Sequence, residues 1–189
     1  MRPLTRVTSN VAVLDRNDVD TDQIIPKQFL KRIERSGYGE FLFFDWAKDP
    51  GFELNRPEYE GAEILIAGRN FACGSSREHA AWALEDYGFR VILAPSFSDI
   101  FRSNAVKTGL APIDVGETSL AELKGAVADT NELTVDLETL EITHPRGLTV
   151  PFELDPYVRE TLLHGLDDIA RTLRREDQIA AYEARVLSL

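Results

Sequence analysis

Residues 67–80 read Ala67-Gly68-Arg69-Asn70-Phe71-Ala72-Cys73-Gly74-Ser75-Ser76-Arg77-Glu78-His79-Ala80, the pattern of a strand that runs through a loop into a helix. An apolar run from Ile64 precedes the loop, and Ala81, Trp82, Ala83 and Leu84 continue it with helical composition. Ser75 followed three residues later by Glu78 matches a capping box, in which the serine oxygen accepts a backbone N–H and the glutamate reaches back. The remaining free N–H groups and the positive end of the helix dipole then face whatever lies before the loop, which makes it an anion site. Gly68 and Gly74 let backbone approach a ligand without a Cβ in the way, and Arg77 offers a planar fork that matches a carboxylate. The plainer alternative is an ordinary capped helix carrying a solvated arginine.

Working outward, residues 11–14 form a short strand, and residues 15–22, with Asp15, Asp18, Asp20 and Asp22, read as an acidic loop. The alternating aspartates imitate the start of a calcium loop, but the glycine and terminal glutamate are missing at their offsets. Pro26 opens a short helix carrying Phe29, Leu30 and Ile33, which Ser36-Gly37-Tyr38-Gly39 breaks. The aromatic run 41–46 reads as core packing, with a pocket wall as its second use. Residues 90–95 and 110–115 are further strands, residues 97–108 a helix capped by Ser96 or Ser98 and stopped by Gly109, and residues 119–127 another helix. This alternation predicts a parallel core sheet with right-handed crossovers. Beyond it, Leu133, Val135 and Leu137 alternate with polar residues, as do Leu140 and Ile142, which predicts a hairpin around Glu138-Thr139, and residues 148–154 add a strand. From Pro156 the chain reads as helical, with Leu162, Leu163, Leu166, Ile169 and Leu173 at helical spacing and Ile179, Tyr182, Val186 and Leu187 on a second stripe. The fold class is α/β, a mixed sheet with a parallel core, divided as a domain over 1–156 and a helical C-terminal extension over 157–189.

Composition narrows the function. The chain has 189 residues, 43% of them hydrophobic, enough for a sizeable core. A net charge of -11 argues against a general nucleic-acid or anionic-membrane surface, so an anionic substrate has to be met by local positive groups. The single cysteine, Cys73, forms no internal disulfide and fits a reducing compartment, and no apolar stretch approaches the roughly 20 residues that span a bilayer. The first residues are not a secretory signal, so a cytoplasmic location is expected. His79, His144 and His164 stand far apart, so this chain alone is not expected to bind a metal or an iron-sulfur cluster. Neither a phosphate-binding Gly-Lys-Ser/Thr loop nor a Gly-x-Ser-x-Gly nucleophile elbow is present. His79 reads as a partly buried histidine rather than a base.

Taken whole, residues 68–80 resemble the signature of the small swivelling domain of the aconitase superfamily. The stretch Asp18-Val19-Asp20-Thr21-Asp22-Gln23-Ile24-Ile25-Pro26, followed by Phe29-Leu30-Lys31, is similar to that family's other block. The order and spacing of the two blocks resemble isopropylmalate isomerase small subunits, most strongly over residues 11–112 and more loosely to about Pro156. The resemblance implies a layered β/β/α domain of aconitase type. It also implies a stereospecific dehydration and rehydration that interconverts 2-isopropylmalate and 3-isopropylmalate through isopropylmaleate, in leucine biosynthesis. In that superfamily a 4Fe-4S cluster held by three cysteines takes part, and this chain has one cysteine, so the cluster is expected on a separate large subunit whose iron polarises the departing hydroxyl. By resemblance Ser75 is the base, Ser76 and Arg77 bind a carboxylate of the malate-type dicarboxylate, and Asp22 positions and polarises a neighbouring group.

Abstracting a proton from carbon beside a carboxylate needs a strong base, and a serine alkoxide held by helix N–H groups and Arg77 meets that need. The segment of aconitase matching residues 29–33 carries an arginine for an extra carboxylate, at or next to Ile33 here. Apolar Ile33 and Leu30 suit a branched alkyl group, with Lys31 and Arg32 beside them, Arg32 being a cation one position away. Two rival readings remain: a sister small subunit acting on homoaconitate or methylmalate, and a non-catalytic carboxylate-binding module.

Overall fold

The computed structural model describes residues 1–31 and 36–187. In chain order the elements are β1 (Arg6–Ser9), β2 (Val11–Leu14), α1 (Thr21–Ile24), α2 (Phe44–Ala47), β3 (Ile64–Ala67), α3 (Glu78–Tyr87), β4 (Val91–Ala94) and α4 (Asp99–Thr108). There follow β5 (Ala111–Asp114), α5 (Glu117–Asp129), β6 (Leu133–Asp136), β7 (Glu141–Thr143), β8 (Thr149–Pro151), α6 (Pro156–His164), α7 (Asp168–Leu173) and α8 (Glu176–Leu187). Short 3-10 turns occupy Lys27–Phe29, Gly39–Phe41, Glu53–Asn55 and Pro57–Tyr59.

The expected α/β class, with a parallel and an antiparallel half, holds. The halves are two separate sheets, parallel β2-β3-β4-β5 and antiparallel β1-β6-β7-β8. Successive residues of a strand point to opposite faces, and here the two faces of the parallel sheet feed two cores. Leu14, Leu65 and Ile92 pack with Ala80, Ala81 and Leu84 of α3 and Phe101 of α4. Val11, Ile64, Ile66, Val91 and Leu93 pack with Val7, Leu133, Val135, Ile142 and Val150 of the antiparallel sheet. The layers are therefore antiparallel sheet, parallel sheet, helices.

Several local expectations are corrected. Strand β1 carries no strong alternation in the sequence and forms by pairing with β6, Val7 opposite Val135. The acidic stretch is not all loop: Asp20 caps α1, accepting the Gln23 N–H at 2.8 Å while the Gln23 side chain accepts the Asp20 N–H at 2.9 Å. Of the helix expected after Pro26, residues 27–29 form a 3-10 turn, and the part around Ile33 lies outside the described residues. The expected hairpin holds, its turn spanning residues 137–140 around Glu138-Thr139, where Asp136 Oδ1 accepts the Glu138 and Thr139 N–H groups at 2.7 and 3.1 Å. The helical run after Pro156 breaks at Gly165, φ +63°, where a Cβ would crowd the backbone of Met1. Leu162 and Leu166 consequently turn inward, whereas Ile169 and Leu173 are exposed.

Candidate functional site

Two loops meet beyond the C-terminal ends of β2 and β3, where open parallel sheets commonly place their ligands. The first follows β2, contains Asp18 and Asp20, and leads into α1, which carries Asp22. The second joins β3 to α3 and contains Ser75, Ser76 and Arg77. Backbone bonds zip them together: Asp18 N–H to Arg69 O at 2.9 Å, Cys73 N–H to Val19 O at 3.1 Å and Thr21 N–H to Cys73 O at 3.0 Å. Gly68 belongs to this seam. A Cβ there would overlap Arg16 O and the Asn17 side chain, so its small size admits the neighbouring loop rather than a ligand. Gly74 instead supplies a left-handed backbone, φ +87°.

On its far side the second loop is pinned to the chain entering α4. Asn70 N–H donates to Ser96 Oγ at 2.8 Å, and Ser98 Oγ donates to Ala72 O at 2.6 Å while also capping α4. Asp18, Asn70 and Ala72 all have positive φ, 55°, 55° and 58°. Left-handed backbone at three non-glycine residues in two facing loops is sustained by this bonding on both sides, and such strain clusters at functional sites.

Within the frame the structure brings Asp22, Ser75, Ser76 and Arg77 together. The carboxylate of Asp22 forms an ion pair with Arg77 Nη1, the aspartate side chain being 50% exposed and the arginine 16%. Nη1 is buried, with the Asp22 carboxylate as its partner. Among the described residues no side chain accepts from Nε or Nη2, which leaves that edge of the fork for a second carboxylate. The Arg77 guanidinium beside Asp22 holds its carboxyl below the usual carboxylate range, outweighing a desolvation that pushes it up; Lys27 acts in the same direction as Arg77.

The capping box expected at Ser75 and Glu78 is absent. Helix α3 starts at Glu78, its cap position is Arg77, and no side chain caps it. Ser75 and Ser76 precede it in an exposed, non-helical segment because Thr21 Oγ1 holds Ser75 O at 3.1 Å and draws the loop toward α1. The consequence favours an anion: the first N–H groups of α3 have no side-chain acceptor, and the two exposed serines directly precede Arg77, the cap position of the helix. Thr21, Ser96 and Ser98 are the site-building residues that the sequence reading missed as such. Their signal was adjacency to motif residues, and their partners lie far along the chain.

Leu30 is half-buried against the helix-side core and Lys31 is exposed; Arg32 and Ile33 lie outside the described residues. His79 packs between rings, 4.6 Å from Trp82 and 5.3 Å from Tyr38, and burial pushes its imidazole down, toward the neutral form. Cys73 is partly buried, donates to Asp18 O at 3.4 Å, and its thiol is pushed up by desolvation and by Asp20 and Asp18, the opposite of an activated thiolate. Among the described residues no three His, Cys, Asp or Glu side chains gather as a metal site, and no helix is long and apolar enough to cross a membrane.

Residues 1–118 match the family model for the aconitase C-terminal domain, residues 124–156 the LeuD_N model, and residues 168–187 the model for the C-terminal domain of the 3-isopropylmalate dehydratase small subunit. A 3-isopropylmalate dehydratase small subunit of Bacillus pumilus is 55% identical, with 97% of this chain and 96% of that one covered. One from Acidobacterium capsulatum is 54% identical, with 97% and 90% covered. The solved structure of a 3-isopropylmalate dehydratase from Methanocaldococcus jannaschii matches with a TM-score of 0.68 at 24% identity, covering 94% of this chain and 99% of that one, a likeness of fold. With its first 118 residues matching an aconitase C-terminal domain and near-full-length relatives above half identity, this chain belongs to the family of 3-isopropylmalate dehydratase small subunits.

Proposed function

We propose that this chain is the part of a 3-isopropylmalate dehydratase that supplies the base and the carboxylate clamp, in a hydro-lyase interconverting 2-isopropylmalate and 3-isopropylmalate in leucine biosynthesis. The single observation that carries the proposal is the meeting of Asp22, on α1, with the loop segment Ser75-Ser76-Arg77 at one end of the parallel sheet. Names of near-full-length relatives support it.

In this reading Arg77 presents its free edge to a substrate carboxylate, with Ser76 as a second donor, and Asp22 holds the guanidinium from behind. Ser75, as alkoxide, takes the proton from the carbon beside the carboxylate. The uncapped start of α3 and Arg77 stabilise the alkoxide and the developing enediolate. Leu30, Lys31, Arg32 and Ile33 border the branched alkyl group. A 4Fe-4S cluster does not fit the donor set of this chain, which offers one cysteine with a raised thiol, so no step here runs through one. We place the cluster on a large subunit, the proposed partner. Two further proposals concern the chain as a whole. The lone Cys73 supports a reducing, cytoplasmic location. The family boundary at residue 156 supports the division into 1–156 and 157–189, although α6 packs Leu162 into the inter-sheet core.

The test is reconstitution. The purified chain is expected to be inactive and colourless alone and to gain isopropylmalate isomerisation when combined with a cluster-bearing large subunit. Activity of the isolated chain would contradict the partner assignment, and dicarboxylate binding without turnover in the complex would favour a carboxylate-binding module.

A further inference from the structure

Arg16 stands where the chain leaves β2, and its side chain and backbone engage different parts of the molecule. The guanidinium grips Glu53 with both arms of its fork, Nε donating to Oε1 at 3.0 Å and Nη2 to Oε2 at 2.8 Å. The same group lies over the Trp46 ring, with Cζ 4.3 Å from the centroid, and 5.4 Å from the centroid of Phe52. The arginine side chain is 38% exposed and the glutamate 28%, and bonding to Arg16 holds the Glu53 carboxyl below the usual carboxylate range. A bidentate pair laid on two ring faces fixes this side chain far more firmly than an exposed ion pair does.

What Arg16 holds in place is the start of the site. Its carbonyl accepts the Gly68 N–H at 3.1 Å, and a Cβ on Gly68 would overlap that oxygen, so the two backbones touch. Further rungs follow along both loops. Asn17 Oδ1 accepts the Arg69 N–H at 3.0 Å, and Asp18 bonds to Arg69 and Asn70. Val19 O accepts the Cys73 N–H, the Thr21 N–H donates to Cys73 O, and Thr21 Oγ1 donates to Ser75 O. The ion pair of Asp22 with Arg77 closes the series. Its register is that of the sheet behind it: Asp20 and Cys73 pair in parallel at the same separation along the chain as Leu14 and Ala67.

We propose that Arg16 is a positioning residue: clamped by Glu53 and Trp46, it fixes the pivot at which the loops after β2 and β3 leave the sheet in register, and so sets Asp22 against Arg77 and Ser75. The inference rests on the roles of those three residues under the proposed function. Arg16 acts through the ladder of bonds, not on the substrate. Each rung is short and directional, so a shift at the pivot passes along the series, and an error of about 1 Å in a reacting group can cost 100-fold.

The experiment uses the complex with the large subunit and the variants Arg16→Lys, Glu53→Gln, the two combined, Trp46→Phe and Trp46→Leu. Asp136→Asn, remote from the site, serves as a destabilised control. Turnover and exchange of the substrate's carbon-bound proton are measured well below the melting transition, and the Asp22 carboxyl is titrated by NMR in the full chain. Arg16→Lys and Glu53→Gln are each expected to lower kcat and exchange about 3- to 30-fold and to move the Asp22 titration up toward an ordinary aspartate. The combined variant loses no more than the worse single one, because both remove one clamp, and Trp46→Phe retains what Trp46→Leu loses. Asp136→Asn leaves kcat and exchange within about 2-fold and the Asp22 titration unmoved. Equal losses in Asp136→Asn, additive losses in the combined variant, or lowered stability with kcat and the Asp22 titration unchanged would mark Arg16 as merely structural and overturn the proposal. If Asp22→Asn and Ser75→Ala lower turnover while the Arg16 and Glu53 variants do not, the pivot alone is wrong. If the wild-type complex does not isomerise isopropylmalate, the proposed function falls, and the Asp22 titration in Arg16→Lys decides the pivot by itself: a move upward supports it, an unmoved midpoint overturns it.

Discussion

The Arg77 guanidinium lies against the Asp22 carboxylate, joining α1 to the loop before α3. A carboxyl held below its usual range by a neighbouring cation keeps the pair intact above its folded pKa and loses it as pH falls through that value. The Asp22 carboxyl is therefore expected to titrate below an ordinary aspartate when followed by NMR, and to move back up in Arg77→Gln. An unmoved midpoint in that variant would mean the pair is not formed in solution.

Asp22→Asn removes the anion behind the fork. In the reconstituted complex it is expected to lower kcat/KM by roughly 10- to 100-fold, because a misplaced carboxylate clamp of about 1 Å has that cost. Arg77→Lys is expected to lose at least as much, since an ammonium cannot grip two carboxylates along two edges. Steady-state kinetics of both variants settle the matter; wild-type values for either would remove that residue from the clamp.

Ser75 does not cap α3, which separates its two possible roles more cleanly than the sequence allowed. Ser75→Ala is expected to change stability by no more than about 0.5 kcal/mol, as for an exposed hydroxyl that has no hydrogen-bond partner among the described residues. The same change should lower kcat by about 100- to 10,000-fold and suppress exchange of the substrate's carbon-bound proton with solvent. Near-normal exchange in this variant would end the assignment of Ser75 as the base.

Gly68→Ala tests the seam between the loops. Its methyl would overlap Arg16 O, and the backbone there has few ways to yield because Gly68 N–H is bonded to that same oxygen at 3.1 Å. A destabilisation of about 1–3 kcal/mol is expected, with a loss of activity that persists below the melting transition because Asp22 and Arg77 are displaced from each other. Urea unfolding read beside activity at low temperature checks both halves.

Far from the site, Asp136 ties β1 to the hairpin turn through Arg6 and the Glu138 and Thr139 N–H groups. Burial raises its carboxyl, but the Thr139 N–H, Arg6 and the Glu138 N–H outweigh burial and leave it below the usual range. A depressed carboxyl contributes stability that is present above the unfolded value and lost as pH falls through the folded one. Asp136→Asn is thus expected to cost about 1.5–3 kcal/mol at neutral pH and to flatten the acid limb of the stability curve. An acid limb as steep as in the wild type would assign the pH dependence to other carboxylates.

How much of this was legible in the sequence follows from the range of the forces involved. The strands of the parallel sheet and the helices between them were readable from short apolar runs, helix stops such as Gly88 and Gly109, and the Ser98 cap, because each signal acts within a few residues. The two motif blocks were readable for the same reason, as was the hairpin from its alternation. Tertiary structure alone decided which residue meets which. Strand β1 exists by pairing with β6, and the strands split into two sheets because each parallel strand can bury both faces only between a second sheet and the helices. Ser75 and Glu78 have the local pattern of a capping box, yet Thr21 and the backbone of residues 18–21 pull the loop into another conformation, while Asp20 and Gln23 form such a box instead. Gly68 is small for the sake of Arg16, not of a ligand. Arg77 is turned by Asp22, because an ion pair depends on distance in space, and the sequence records only distance along the chain.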